Sequence, residues 1–185
     1  MINRKNRVCP VAAAGSLDNR IRKWVQDPRK MLAPYIKEGM TILDIGCGPG
    51  FFSIDMAHMV GKSGHLIAAD LQEGMLQKVR KKVKGTELEG RITLHKCEEN
   101  KIGISEKVDF VLLFYMIHEV TNVKAFFSEI ETVLKPNGKV FIVEPPFHVS
   151  KKAFENTIKK ANDAGLAVIE RPKLFLNKAA ILKKN

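Results

Sequence analysis

Residues 41–50, Thr-Ile-Leu-Asp-Ile-Gly-Cys-Gly-Pro-Gly, constrain this chain more than any other stretch. The run Thr41–Ile45 is short, mostly apolar and stopped by glycine, which suits a strand buried on both faces of a parallel sheet. Phe51 to Val60, rich in Phe, Met, Ile and Ala, reads as the helix that follows. A glycine-rich turn between strand and helix permits tight backbone angles and close approach of a ligand, and the helix start offers N–H groups carrying partial positive charge. The spacing narrows the choice of ligand. The dinucleotide pattern is G-x-G-x-x-G. Here Gly46, Gly48 and Gly50 give G-x-G-x-G, and bulky Phe51 stands where the third glycine is needed. A P-loop fails as well, because no Gly-Lys-Ser/Thr follows. The loop should therefore take a nucleotide-like ligand that lacks a bridging pyrophosphate.

Strand-like and helix-like segments alternate beyond about residue 40, the pattern of an α/β layer structure with a mainly parallel sheet. His65–Asp70 is a second strand. The helix after it carries Leu76, Val79 and Val83 on one face and Lys78, Arg80, Lys81, Lys82 and Lys84 on the other. Arg91–Lys96 alternates polar and apolar residues and should lie near a sheet edge, whereas apolar Asp109–Tyr115 should be central. Val123, Phe126, Phe127, Ile130, Val133 and Leu134 form a helical stripe that ends at Lys135-Pro136-Asn137-Gly138. Lys139–Glu144 reads as the fifth strand. A helix from about Ser150 to Asn162 should bury Phe154, Ile158 and Ala161. No crossover helix fits between Leu166–Ile169 and Leu174–Leu182, so these should pair antiparallel as a hairpin.

With 185 residues, 45% of them apolar, the chain can build one well-buried core. Residues 35–185 read as that single domain. Residues 1–34 read as an extension or lid, partly helical around Asp18 to Gln26, with Arg20, Arg22, Trp24 and Tyr35 there or close by. No stretch reaches the roughly 18 apolar residues a membrane span requires. The start loosely imitates a signal peptide, but its apolar part is short and contains Pro10. Cys9, Cys47 and Cys97 are too few and too widely spaced for a disulfide framework or a zinc set. A cytoplasmic location is the natural reading, and no metal is expected. The net charge of +11 favours polyanionic partners, nucleic acid first.

Asp70 ends the second strand 24 positions after Gly46, near the ~20 expected of an acid that accepts hydrogen bonds from ribose hydroxyls. The alternative is that it caps the helix from Gln72 to Lys84.

Asp44-Ile45-Gly46-Cys47-Gly48-Pro49-Gly50 resembles motif I of class I S-adenosylmethionine-dependent methyltransferases. Asp70 matches that family's ribose-binding acid. Val108 to Phe114 resembles its fourth-strand motif, and Leu134-Lys135-Pro136-Asn137-Gly138-Lys139 resembles the stretch before its fifth strand. The resemblance covers residues 35–185 and is nearest the small subgroup with quinone-biosynthesis and arsenite enzymes. It implies a Rossmann-like α/β fold: a seven-stranded, mostly parallel sheet with an antiparallel last strand and helices on both faces. It implies S-adenosylmethionine as cofactor, held at Asp44, Gly46, Cys47, Gly48, Gly50 and Asp70. Leu71 would lie against the adenine, Glu98 would contact its amino group, and Phe114 would flank the methionyl part. Asp44 would orient the loop or contact the methionine amino group.

Methyl transfer needs a general base only when the acceptor atom carries a proton of high pKa. Strand carboxyl ends line the crevice in sheets of this kind, so Tyr115, Glu119, Glu144 and His148 are candidate substrate residues. His118 is the candidate base; its plainer alternative is a histidine hydrogen-bonded at a strand end. The expected acceptor is a small, partly apolar molecule. RNA or protein is the second class, and a non-catalytic cofactor-binding subunit the third. A nicotinamide oxidoreductase is the remaining alternative.

Overall fold

The computed structural model describes residues 10–11 and 26–185. The expected helix around residues 18–26 and the side chains of Arg20, Arg22 and Trp24 lie, Gln26 apart, outside them. The chain runs α1 (Pro28–Leu32), β1 (Thr41–Ile45), α2 (Phe51–Met59), β2 (His65–Asp70), α3 (Glu73–Val83), β3 (Ile92–Lys96) and β4 (Val108–Phe114). It continues through a 3-10 turn (Ile117–Glu119), α4 (Val123–Val133), β5 (Leu134–Glu144), α5 (Lys151–Asn162), β6 (Leu166–Glu170) and β7 (Lys178–Lys184). The strands form one seven-stranded sheet in the order β3-β2-β1-β4-β5-β7-β6. The expected α/β class, apolar β4 in the middle and alternating β3 at an edge all follow from how much of each strand can be buried. By packing, the chain divides into residues 1–97 and 98–185.

In the first unit, β1, β2 and β3 are parallel, with Ile45 opposite Ala69 and Asp70 opposite Lys96. Ile42, Leu43, Leu66, Ala68 and Ala69 are wholly buried. α2 buries Phe51, Phe52, Ser53, Asp55, Met56 and Ala57, more than a single stripe. α3 keeps to the predicted pattern, with Met75, Leu76, Val79 and Val83 inside and Arg80, Lys81, Lys82 and Lys84 exposed. Each apolar side chain of this size stabilises the fold by about 1.5–3 kcal/mol when fully buried. Val11 packs against the start of α3; a Cβ placed on Gly74 would stand 3.0 Å from its methyl carbon.

In the second unit, β4 and β5 are parallel and β7 runs antiparallel to both β5 and β6. Two sequence expectations are corrected here. β5 begins at Leu134, directly after α4, not at Lys139. Leu134 pairs with Val108 and Lys139 with Phe110, so Lys135–Gly138 bulge out within the strand instead of closing a free turn. Gly138 makes the bulge feasible, since a Cβ there would lie 2.7 Å from the Leu134 side chain. β7 begins at Lys178, not Leu174. The residues before it form a turn closed by Asn177 N–H on Leu174 O (3.0 Å), with Leu176 left-handed at φ 57°. α5 matches its expectation: Ser150 caps it by accepting from Ala153 N–H at 3.1 Å, and Phe154, Ile158 and Ala161 are buried.

Candidate active site

The loop after β1 is built from three left-handed glycines, Gly46 (φ 71°), Gly48 (φ 55°) and Gly50 (φ 84°). Such angles cost a residue with a Cβ roughly 1–2 kcal/mol each. Gly46 and Cys47 donate to the carbonyl of Ala69, the last residue but one of β2, at 2.8 and 3.1 Å. A Cβ on Gly50 would press on Val79 of α3 at 3.1 Å, whereas one on Gly48 would meet nothing within 4 Å. The first glycine contact sets the loop against the protein. The second leaves room for a ligand.

Asp70 latches this loop. Its Oδ2 accepts from Gly48 N–H at 2.9 Å and its Oδ1 from Gln72 N–H at 2.8 Å. Gln72 is the N-cap of α3, so Asp70 stands outside the cap position considered for it. Each carboxylate oxygen keeps a further lone pair, so the side chain can accept from a diol while holding the loop. Burial raises the Asp70 pKa, against the pull of the backbone N–H groups of Gln72, Gly48 and Leu71. Leu71 is half-buried beside it.

Asp44, 3% exposed, accepts a 2.6 Å hydrogen bond from Ser53 Oγ in the first turn of α2. Burial pushes its pKa to about 7, with the nearby Asp70 charge adding to the effect. The buried Cys47 thiol is pushed well up by burial and by the same two carboxylates. This concentration of acidic groups favours a cationic ligand. A sulfonium carrying an α-ammonium, a ribose diol and no pyrophosphate fits the acids, the latch and the open space over Gly48. Lys82, at the far side, donates to Pro49 O and steadies the loop from α3.

In the second unit the backbone leaves β4 abruptly. Tyr115 is left-handed at φ 58°, an angle disfavoured for a bulky residue and typical of functional sites. Its N–H bonds Val143 O at 2.8 Å and its hydroxyl bonds Asn177 Oδ1 at 2.6 Å. Buried Phe114 lies against it, ring centroids 4.2 Å apart. The 3-10 turn then presents His118, whose Nδ1 is 2.6 Å from Glu144 Oε2. Glu144 Oε1 accepts from Ile117 N–H at 3.1 Å. The Glu144 hydrogen bond and charge raise the His118 pKa above 6.5, outweighing burial.

Glu144, expected among the substrate residues, lies against the imidazole of His118. It is 1% exposed with both oxygens engaged. His148 is exposed, its ring stacked at 6.4 Å on that of His118, and Glu119 is half-buried in the 3-10 turn. Glu98 is exposed and bridges Lys101 through backbone bonds of 3.0 and 3.3 Å. Among the described residues no group of three or more His, Cys, Asp or Glu is placed to hold a metal ion.

The family described as a methyltransferase domain matches residues 36–179. A crystal structure of a SAM-dependent methyltransferase from Aquifex aeolicus superposes with a TM-score of 0.82 at 28% identity, covering 95% of this chain and 98% of that one. This chain belongs to the S-adenosylmethionine-dependent methyltransferases. Over 128 residues the methyltransferase is 32% identical to the demethylmenaquinone methyltransferase of Lactobacillus johnsonii, covering 67% of this chain and 52% of the relative. With its counterpart in Listeria welshimeri it shares 28% over 122 residues. It spans about half the length of these curated relatives. A methyltransferase structure from Methanococcus maripaludis, 19% identical with a TM-score of 0.77, shares the fold.

Three residues of this methyltransferase escaped the sequence reading. Ser53 had a signal, since a hydroxyl in the first turn after the glycine loop faces the strand just left. Asn177 had none, because its partner Tyr115 lies 62 residues away. Lys82 read as part of a solvated face, and only the structure shows its reach to Pro49.

Proposed function

We propose that this methyltransferase carries a methyl group from S-adenosylmethionine to a small, partly apolar acceptor, with His118 as general base. The observation that carries the reading is the His118–Glu144 couple, a partly exposed imidazole fixed through Nδ1 by a buried carboxylate. When bound, the cofactor supplies an electrophilic methyl group for in-line displacement. Asp70 accepts from the ribose hydroxyls while its bond to Gly48 holds the loop shut. Leu71 packs on the adenine and Glu98 accepts from its amino group. The backbones of Gly46, Cys47, Gly48 and Gly50 line the methionyl portion, which Phe114 flanks. Asp44 keeps α2 in register through Ser53 and supplies negative charge for the ammonium. Nδ1–H donation to Glu144 leaves the His118 lone pair on Nε2, where it takes the acceptor's proton, and Glu144 stabilises the resulting imidazolium. Tyr115, Glu119 and His148 contact the acceptor.

The relatives are demethylmenaquinone methyltransferases, which supports a small-molecule acceptor. We place the enzyme in the cytoplasm, with residues 35–185 as its methyltransferase domain and residues 1–34 as an extension. RNA is the second reading, favoured by the net charge of +11 and the exposed basic face of α3.

Calorimetric titration with S-adenosylmethionine, its demethylated product and NAD tests the donor. The first two should bind and NAD should not; NAD binding alone would overturn the reading. Labelled methyl donor offered with small-molecule and RNA pools tests the acceptor. Label should enter small molecules, and label confined to RNA, or no transfer at all, would reject the proposed acceptor or the enzymatic role.

A further inference from the structure

Large apolar side chains are seldom left in water in a cluster. Among the described residues four stand exposed, and three of them, Phe147 (89% exposed), Phe175 (79%) and Leu176 (61%), lie on loops at one end of the second unit. Their proximity follows from the register. Glu144, at the end of β5, pairs with Lys178, at the start of β7. Lys178 Nζ donates to Pro146 O at 3.3 Å, beside Phe147, and Asn177, beside Leu176, accepts from Tyr115. These bonds tie the loops that carry the three side chains to the same end of the sheet.

The surroundings decide what such a display meets. Lys151 and Lys152 open α5 next to the Phe147 loop, and Lys173 precedes Phe175; all three are exposed. Arg171 is engaged by Glu155 in a two-pronged pair at 2.9 Å, which leaves the lysines as the dominant charge around the apolar tips. Aromatic and aliphatic tips ringed by lysines suit the headgroup region of a bilayer, where apolar groups enter the acyl boundary and ammonium groups meet lipid phosphates. The chain's net charge of +11 adds long-range attraction to an anionic surface. Such contact needs no spanning helix, and among the described residues none is long and apolar enough to cross a membrane.

We infer that this end of the protein docks on an anionic lipid surface through Phe147, Phe175 and Leu176, with Lys151, Lys152 and Lys173 as its electrostatic rim. Docking is independent of methyl transfer, so its failure leaves the proposed chemistry standing, and the reverse also holds.

The test is co-sedimentation of the full chain with vesicles of phosphatidylcholine alone or mixed with phosphatidylglycerol, with no methyl donor present. The protein should partition onto the mixed vesicles and much less onto the neutral ones. The combined variant Phe147→Ser, Phe175→Ser, Leu176→Ser should lose about tenfold or more in partitioning, and each of Lys151→Gln, Lys152→Gln and Lys173→Gln about fivefold. Because the six side chains are exposed, near-UV circular dichroism and Tm should stay at wild-type values. Absence of binding to mixed vesicles overturns the inference. Binding that the apolar variant leaves intact does so too, as does concentration-dependent self-association through the patch in sedimentation velocity without vesicle binding.

Discussion

Glu144 lies beneath His118 with one oxygen 2.6 Å from Nδ1 and the other on the N–H of Ile117, so a single buried carboxylate fixes both the ring and the turn that carries it. His118→Ala should lower kcat by about 10²–10⁴ if the imidazole is the base. Glu144→Gln keeps the shape and removes the charge that raises the imidazole pKa. For the wild type, activity should rise with pH through a midpoint above 6.5, as the ring becomes neutral. In Glu144→Gln that midpoint should move down and kcat should fall. The stability linkage has the opposite sense: the His118 contribution is full below 6.5 and is lost as pH rises through the folded-state value. A pH–rate profile unchanged by Glu144→Gln would remove the positioning role.

Asp70→Ala removes the acceptor for Gly48 and Gln72 together. Two charge-assisted bonds of about 1.5–3 kcal/mol are lost, so thermal stability should fall. S-adenosylmethionine affinity should drop about 100-fold or more by calorimetry, since the loop and the ribose contact fail together. Unchanged affinity would sink the ribose role.

Two glycines should behave differently although both are left-handed. Gly50→Ala meets Val79 at 3.1 Å, so it should destabilise the fold by more than the roughly 1–2 kcal/mol of the backbone angle alone. Gly48→Ala meets nothing within 4 Å. It should cost only the backbone strain, yet obstruct the cofactor. Denaturant melts and cofactor titrations on the two variants would separate these effects.

Asp44 sets a pH dependence of its own. Its folded pKa of about 7 exceeds the ordinary 3.8, so between those values the folded state binds more protons than the unfolded chain. Stability of the cofactor-free protein should therefore be highest at the acid end of this window and decline as pH approaches 7. Asp44→Asn retains an acceptor for Ser53 and should flatten that decline in Tm measured against pH.

The alternation of buried strands and amphipathic helices was legible because burial on both faces leaves near-continuous apolar runs such as Val108–Phe114. Asp70 was legible for a related reason: it ends a strand at a distance fixed by one helix and one loop. What stayed hidden depends on bonds between distant segments. The bulge at Lys135–Gly138 arises because Leu134, directly after α4, already pairs with Val108 of β4, which no local propensity reports. Burial of Glu144 could not be read either, since a strand-end acid looks the same whether it faces an acceptor or lies under a histidine.

The position of β7 between β5 and β6 has a consequence for the order of assembly. β6 is synthesised first but has no neighbour in the sheet until the later strand has slid in beside β5. Until then β5 presents an open apolar edge, and β6 is tied to α5 alone by its loop. The hairpin therefore acts as a closing step, and substitutions in Ala179–Leu182 should weaken the native state mainly by speeding unfolding, with little change in the refolding rate.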